Sequence, residues 1–364
     1  MVLSEISNAG VSIWLDDLSR ERMVKSGKSS YLPDLIANKH VVGVTTNPAI
    51  FSNAISTSQL YRQDIIEMRN QGLNVEEIIT ELTCSDVKEA CGIFLDTFEK
   101  TNGIDGRVSI EVDPRYARDT EKTVAQARDL WNRIGAPNLL IKVPATKEGL
   151  PAIRELIADG ISVNVTIIFS VSRYREVLEA YQNGISDRAT SGKKTTDTHS
   201  VASFFVSRVD TEIDARLKKI GRLDLLGKAA IANARLAYKE FVEVKASPNW
   251  QKLAASGALL QRPLWASTGV KEPSYDPAMY VTELIASETV NTMPESTLIA
   301  ASQTVNFKGD SITGNFDSST KTIDELDGLG IKIEEVARKL EEEGIEKFVK
   351  PWLELISVVA KVSA

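Results

Sequence analysis

The chain has 364 residues, 43% hydrophobic and 26% charged, enough for one large α/β domain or two ordinary ones. Its 43 Lys+Arg against 50 Asp+Glu give a net charge of −7, which excludes a general attraction to nucleic acid or anionic membrane; an anionic ligand needs a local cationic site. With only two histidines, His40 and His199, and no HExxH or Cys/His cluster, neither a metal nor another cofactor is expected.

In chain order, the opening MVLSEISNAG has neither a basic nor an apolar leader segment, and no apolar stretch approaches the ~20 residues of a membrane span. Cys84 and Cys91, seven apart in a helical segment, form no disulfide framework or CxxC pair, and a reducing cytoplasm is expected. The SGKSS at Ser26–Ser30 resembles the end of a phosphate-binding loop, but Arg22 stands where the pattern needs glycine. Eight short Val/Ile/Leu-rich runs read as strands: Val11–Asp16, Val41–Asn47, Arg107–Asp113, Asn138–Pro144, Ile161–Ile168, Ala202–Ser207, Pro263–Thr268 and Val281–Ala286. Between the second and third, Asn74 with Glu77 predicts a capping pair, and Ser85 a cap for a further helix over Asp86–Lys100. Val124, Ala127, Leu130, Trp131 and Ile134 share one face of a helix that Gly135-Ala136-Pro137 stops. Lys308–Thr322 reads as a polar surface loop, and Phe348, Trp352, Leu355, Ile356 and Val359 mark an amphipathic C-terminal helix.

Eight alternating β/α units predict a single (β/α)8 barrel over residues 1–364. Extra helices fall between strands two and three, and C-terminal helices over 322–362 pack on the barrel. A doubly wound open sheet is the competing layout, but no Gly-rich turn follows the first strand, which ends WLDDLSR.

The strand ends are unusually polar. They carry Asp16; Thr45, Thr46 and Asn47; Ser109, Glu111 and Asp113; Lys142; Asn164 and Thr166; Ser203 followed by Arg208; and Ser267 with Thr268. Period-2 alternation puts Ser109 with Glu111, and Asn164 with Thr166, on one face of their strands, while Ile141 and Val143 point opposite to Lys142. Other readings exist: Asp16 as a helix cap, Asn47 as a turn residue before Pro48, Glu111 as a structural ion-pair partner of Lys142, Arg208 paired with Asp210. Together, the residues suit a different chemistry. A desolvated lysine can be a neutral amine and form a Schiff base with a ketone, and the protonated imine draws electrons from the neighbouring C–C bond. Glu111 and Asp16 are placed for the proton transfers, Asn side chains suit sugar hydroxyls, and an arginine fork such as Arg208 suits a phosphate.

The blocks GVTTNPAIF (Gly43–Phe51), SIEVDPRYARDTE (Ser109–Glu121), NLLIKVPAT (Asn138–Thr146), GISVNVTIIFS (Gly160–Ser170), SFFVSRVD (Ser203–Asp210) and LWASTGVK (Leu264–Lys271) resemble the transaldolase family in content and order. The likeness runs to about Ala300 and, with IWLDDLSR near the start, is to the longer bacterial subfamily. It implies that Lys142 forms the Schiff base, that Asp16 deprotonates the C4 hydroxyl, and that Glu111 works through a water which Thr166 positions. It also implies that Asn47 and Asn164 hold the dihydroxyacetone part, that Thr45, Ser109 and Ser203 line the site, and that Arg208 and Ser267 bind phosphate. Glu111 and Phe205 resemble true transaldolases rather than the aldolases of the same family. Many members have a second arginine after the strand-seven serine; here only Lys271 is on offer, and it is expected to supplement Arg208. The implied partners are small sugar phosphates acting on a monomer or homodimer.

Overall fold

In the computed structural model, which describes residues 2–25, 30–304 and 307–362, eight parallel strands close into a barrel. The strands are β1 (Val11–Leu15), β2 (Val41–Val44), β3 (Arg107–Glu111), β4 (Leu139–Pro144), β5 (Val163–Ile168), β6 (Ser200–Phe205), β7 (Arg262–Ala266) and β8 (Thr289–Met293). Each strand pairs with the next, and β1 pairs with β8. The (β/α)8 architecture expected from the alternating pattern is therefore present. Apolar residues such as Ile141, Val143, Val163 and Val165 are fully buried, as strands covered on both faces require. The end of the SGKSS segment at Ser30 is described; Ser26–Ser29 lie outside the described residues.

Three local expectations are overturned. The eighth strand is not Val281–Ala286. That run contributes to a short helix, Met279–Thr282, and to a buried connection whose Leu284 carbonyl accepts from Trp265 Nε1 at 3.1 Å. A short apolar run does not by itself distinguish a strand from a buried connection, and the true strand, TVNTM, is masked by its polar residues. Ser85 does not cap a helix: one helix runs from Val75 to Ile93, because its buried face, Ile78, Ile79, Leu82, Val87, Ala90 and Cys91, continues through that position. Its start is the capping box expected of Asn74 and Glu77. Finally, Lys308–Thr322 is not all loop, since a helix spans Phe316–Gly328. Its Ser319, Thr320 and Thr322 hydroxyls bond back to carbonyls four residues earlier and so tolerate the helix.

Four α-helices separate β2 from β3: Pro48–Thr57, Arg62–Asn70, Val75–Ile93 and Leu95–Lys100. The C-terminal helix, Ile333–Val362, lies across the carboxyl ends of the strands. Arg118 pairs with Glu342 at 2.6 Å, Lys339 with Glu212 at 2.6 Å and Arg173 with Glu341 at 3.4 Å, which ties it to the segments following β3, β6 and β5. Its Phe348, Leu355 and Val359 are buried.

Candidate active site

Strand register builds the site. Glu111 of β3, Lys142 of β4 and Asn164 of β5 are direct neighbours at one level of the barrel. Lys142 is 4% exposed. Its Nζ donates to the Thr46 carbonyl at 3.2 Å and lies 3.2 Å from Glu111 Oε2. The contact with Glu111 is an ion pair without hydrogen-bond alignment, since neither carboxylate oxygen of Glu111 has a directed partner. Burial raises the Glu111 carboxyl above its usual range, against the lowering pull of Lys142.

Asp16 follows β1 and is not a helix cap; the next helix begins at Arg20 after Ser19. Its carboxylate accepts from Thr45 Oγ1 at 2.7 Å, and burial raises it too, opposed by Lys142. Asp17 pairs instead with Arg22 at 2.6 Å, so of the two aspartates Asp16 joins the cluster. Gly43 gives Trp14 its place below Asp16, because a Cβ there would meet the indole at 2.6 Å.

A polar ladder crosses the interior. Ser203 Oγ donates to Asn164 Oδ1 at 2.7 Å, and Asn164 Nδ2 donates to Ser109 Oγ at 3.0 Å. All three are buried. A shift in the β5–β6 register between Val165 and Ile168 coincides with Ile167 at φ 55°, a strained value for a β-branched residue. The adjacent Thr166 Oγ1 is buried without a protein partner. Asn47 is both a turn residue and a neighbour of the site. Its Oδ1 caps the Pro48–Thr57 helix by accepting from Ile50 N at 3.0 Å, and it lines a crevice with Phe51, Glu111 and Trp352.

Arg208 makes no ion pair with Asp210, whose carboxylate takes the Tyr280 hydroxyl and the Ala230 amide instead. Its guanidinium lies 5.4 Å from the Phe205 ring centroid, and its buried Nη1 has no protein partner. Ser267, at φ 55°, shares a 2.9 Å hydroxyl contact with Ser207, directly before Arg208. Lys271 is exposed and lines a different cavity, with Asp214, Lys218, Glu272 and Tyr275. The barrel thus gathers Asp16, Thr45, Glu111, Lys142, Asn164, Ser109 and Ser203, with Thr166, Phe205, Arg208 and Ser267 at its mouth, and leaves Lys271 outside this hydrogen-bonded set.

Residues given no role from sequence also contribute. Thr46 supplies the carbonyl for Lys142 and donates to the Ser109 carbonyl at 2.7 Å. Thr292 of β8 shares a 2.7 Å hydroxyl contact with Thr45, and the misplaced eighth strand hid it. Phe348 lies over Lys142 and Arg208, with its ring centroid 5.6 Å from Nζ and 5.9 Å from the Arg208 Cζ. Its helical spacing alone marks it only as core.

Residues 13–359 match the family model described as Transaldolase/Fructose-6-phosphate aldolase. The chain belongs to this family. Among curated relatives, the transaldolase of Mycolicibacterium smegmatis is 53% identical over 357 residues, covering 97% of this chain and 95% of its own. Those of Acidothermus cellulolyticus and Thermobifida fusca are 52% and 49% identical, each covering 99% of this chain and 96% or 97% of their own. This family membership agrees with the closed barrel. Among the described residues no cluster of His, Cys, Asp or Glu could hold a metal ion, and no helix is long and apolar enough to cross a membrane.

Proposed function

We propose that the protein is a transaldolase, moving a dihydroxyacetone unit from sedoheptulose 7-phosphate to glyceraldehyde 3-phosphate and giving erythrose 4-phosphate and fructose 6-phosphate. This reaction belongs to the non-oxidative pentose phosphate pathway. The observation that carries the reading is a buried lysine set between two carboxylic acids whose proton affinity burial has raised.

Lys142 Nζ attacks the ketone at C2, and loss of water from the carbinolamine gives a protonated imine. Asp16 takes the proton of the C4 hydroxyl; the C3–C4 bond breaks, and its electron pair moves into the imine to leave an enamine and a free aldose. Glu111 assists the carbinolamine proton transfers through a water placed by Thr166. Carboxyls raised by burial suit both acid and base duty near neutral pH. Asn47, Asn164, Thr45, Ser109 and Ser203 hold the donor's hydroxyls. Arg208 receives the phosphate, joined by Ser267, while Lys271, expected to supplement it, lines a separate cavity and is not assigned to the phosphate. The orphaned Thr166 Oγ1, Glu111 Oε1 and Arg208 Nη1 support this assignment, because a polyhydroxylated phosphate ester can partner all three.

We further propose that residues 1–364 act as one barrel unit in the cytoplasm, as a monomer or homodimer. The free, buried thiols of Cys84 and Cys91 suit a reducing compartment. Turnover of fructose 6-phosphate with and without an aldose acceptor tests the function. A transferase needs the acceptor for turnover; sustained release of free dihydroxyacetone without it assigns the chain to the aldolase side of the family.

A further inference from the structure

The C-terminal helix crosses the barrel mouth at two positions one turn apart, Gly344 and Phe348. A Cβ added to Gly344 would lie 3.6 Å from Ile167 Cγ2, 3.7 Å from Phe169 Cε2 and 3.8 Å from Arg208 Nη1. The helix therefore rests directly on the ends of β5 and β6. One turn on, Phe348 is 5% exposed, and its ring spans the gap between the two cations of the site, Lys142 and Arg208. Phe205 and Phe169, 5.2 Å apart, extend this apolar roof. The ion pairs of Glu341, Glu342 and Lys339 pin the helix at the rim, so the roof is held from several sides.

We propose that Phe348 is a specificity-determining residue, which roofs the nitrogen of Lys142 and keeps water off the dihydroxyacetone intermediate until an acceptor aldehyde arrives. The inference rests on the Schiff-base reading given above. After C3–C4 cleavage the enamine on Lys142 has two fates. Its C3 can attack the acceptor carbonyl, forming the new C–C bond while the acceptor oxygen takes up a proton; water then adds to C2 of the product imine, and the C–N bond breaks to release the new ketose and the free amine. Alternatively C3 is protonated and water adds to C2 of the resulting imine; the carbinolamine C–N bond then breaks, releasing dihydroxyacetone and the free amine. Both routes consume the one water that imine formation released; the second sums to a simple aldol cleavage, and they differ in whether C3 meets a proton or an acceptor. A ring face over the nitrogen covers the enamine and denies water its approach, so C3 is not protonated while the acceptor site is empty. Transfer is thereby favoured over release.

The test compares Phe348→Ala, Phe348→Leu and Phe348→Tyr with the wild type. Free dihydroxyacetone released from fructose 6-phosphate is measured against sedoheptulose 7-phosphate formed with erythrose 4-phosphate. The ratio of release to transfer rises about tenfold in Phe348→Ala, which opens the enamine to water, and stays within about twofold in Phe348→Tyr, which keeps the cover. Phe348→Leu keeps apolar cover without the ring face and falls between them; it carries the test if Phe348→Ala fails to fold. Release and transfer falling in parallel, with the ratio unchanged, overturns the proposal in favour of simple packing. Borohydride trapping of the wild type separates the two readings. An adduct with an unchanged ratio overturns this inference alone, whereas no adduct overturns the Schiff-base reading and this inference with it.

Discussion

Replacing both members of the central ion pair, with Lys142→Met and Glu111→Leu together, should abolish activity without costing stability. The side chains of Lys142 and Glu111 are 5% and 2% exposed, and Glu111 has no aligned hydrogen bond to offset its desolvation. Buried pairs exchanged for well-packed hydrophobic residues of similar volume are neutral to about 4 kcal/mol more stable. For a chain of this length the unfolding entropy translates each kcal/mol into about 1.3 °C, so Tm should be unchanged or rise by up to about 5 °C. Lys142→Met alone behaves differently. It strands the Glu111 carboxylate and costs about 3–5 kcal/mol at pH 8.5. Burial already holds Glu111 above its ordinary range, so the folded variant keeps its proton to higher pH than the unfolded chain. Stability of the single variant therefore recovers as the pH falls. Urea denaturation followed by circular dichroism at pH 5.5 and 8.5 measures all three proteins. A double variant more than about 1 kcal/mol less stable than the wild type would show that the pair stabilises the fold and refute the reasoning.

Arg208→Gln removes a charge-assisted phosphate contact and should raise KM for phosphorylated donors by about 10- to 100-fold, with a smaller change in kcat; steady-state kinetics reads it. Lys271→Ala, at an exposed side chain, should raise the same KM by no more than about fivefold; a rise matching that of Arg208→Gln would place Lys271 at the phosphate as an equal. Asp210, pushed up to about 7 by burial, holds its proton in the folded chain where the unfolded chain has released it. Stability should therefore fall by up to about 4 kcal/mol between pH 4 and 7, and Asp210→Asn should flatten that fall in a urea series.

Much of the architecture is legible because parallel strands covered on both faces leave short, dense aliphatic runs, and seven of the eight runs expected to be strands overlap a strand. The eighth failed for the converse reason. In TVNTM the polar Thr289, Asn291 and Thr292 are buried by satisfying other elements, as when Asn291 Nδ2 donates to the Tyr280 carbonyl at 3.1 Å. Composition reads such a strand as surface. For the site, strand alternation gives the shared faces of Glu111 and Asn164 and sets Lys142 opposite to Ile141 and Val143, while only the register shows the three to be neighbours at one level. The roof was not legible. Phe348 lies 206 residues from Lys142 in the chain, and a helical stripe gives no sign of which partner it covers.

The central claim is that Lys142 is the nucleophile, and reductive trapping tests it most directly. The protein is incubated with fructose 6-phosphate, reduced with borohydride, digested and mapped by mass spectrometry. A dihydroxyacetone-derived adduct on the peptide bearing Lys142, with irreversible loss of activity, is the predicted result. An unmodified Lys142, or an adduct confined to another lysine, would contradict it.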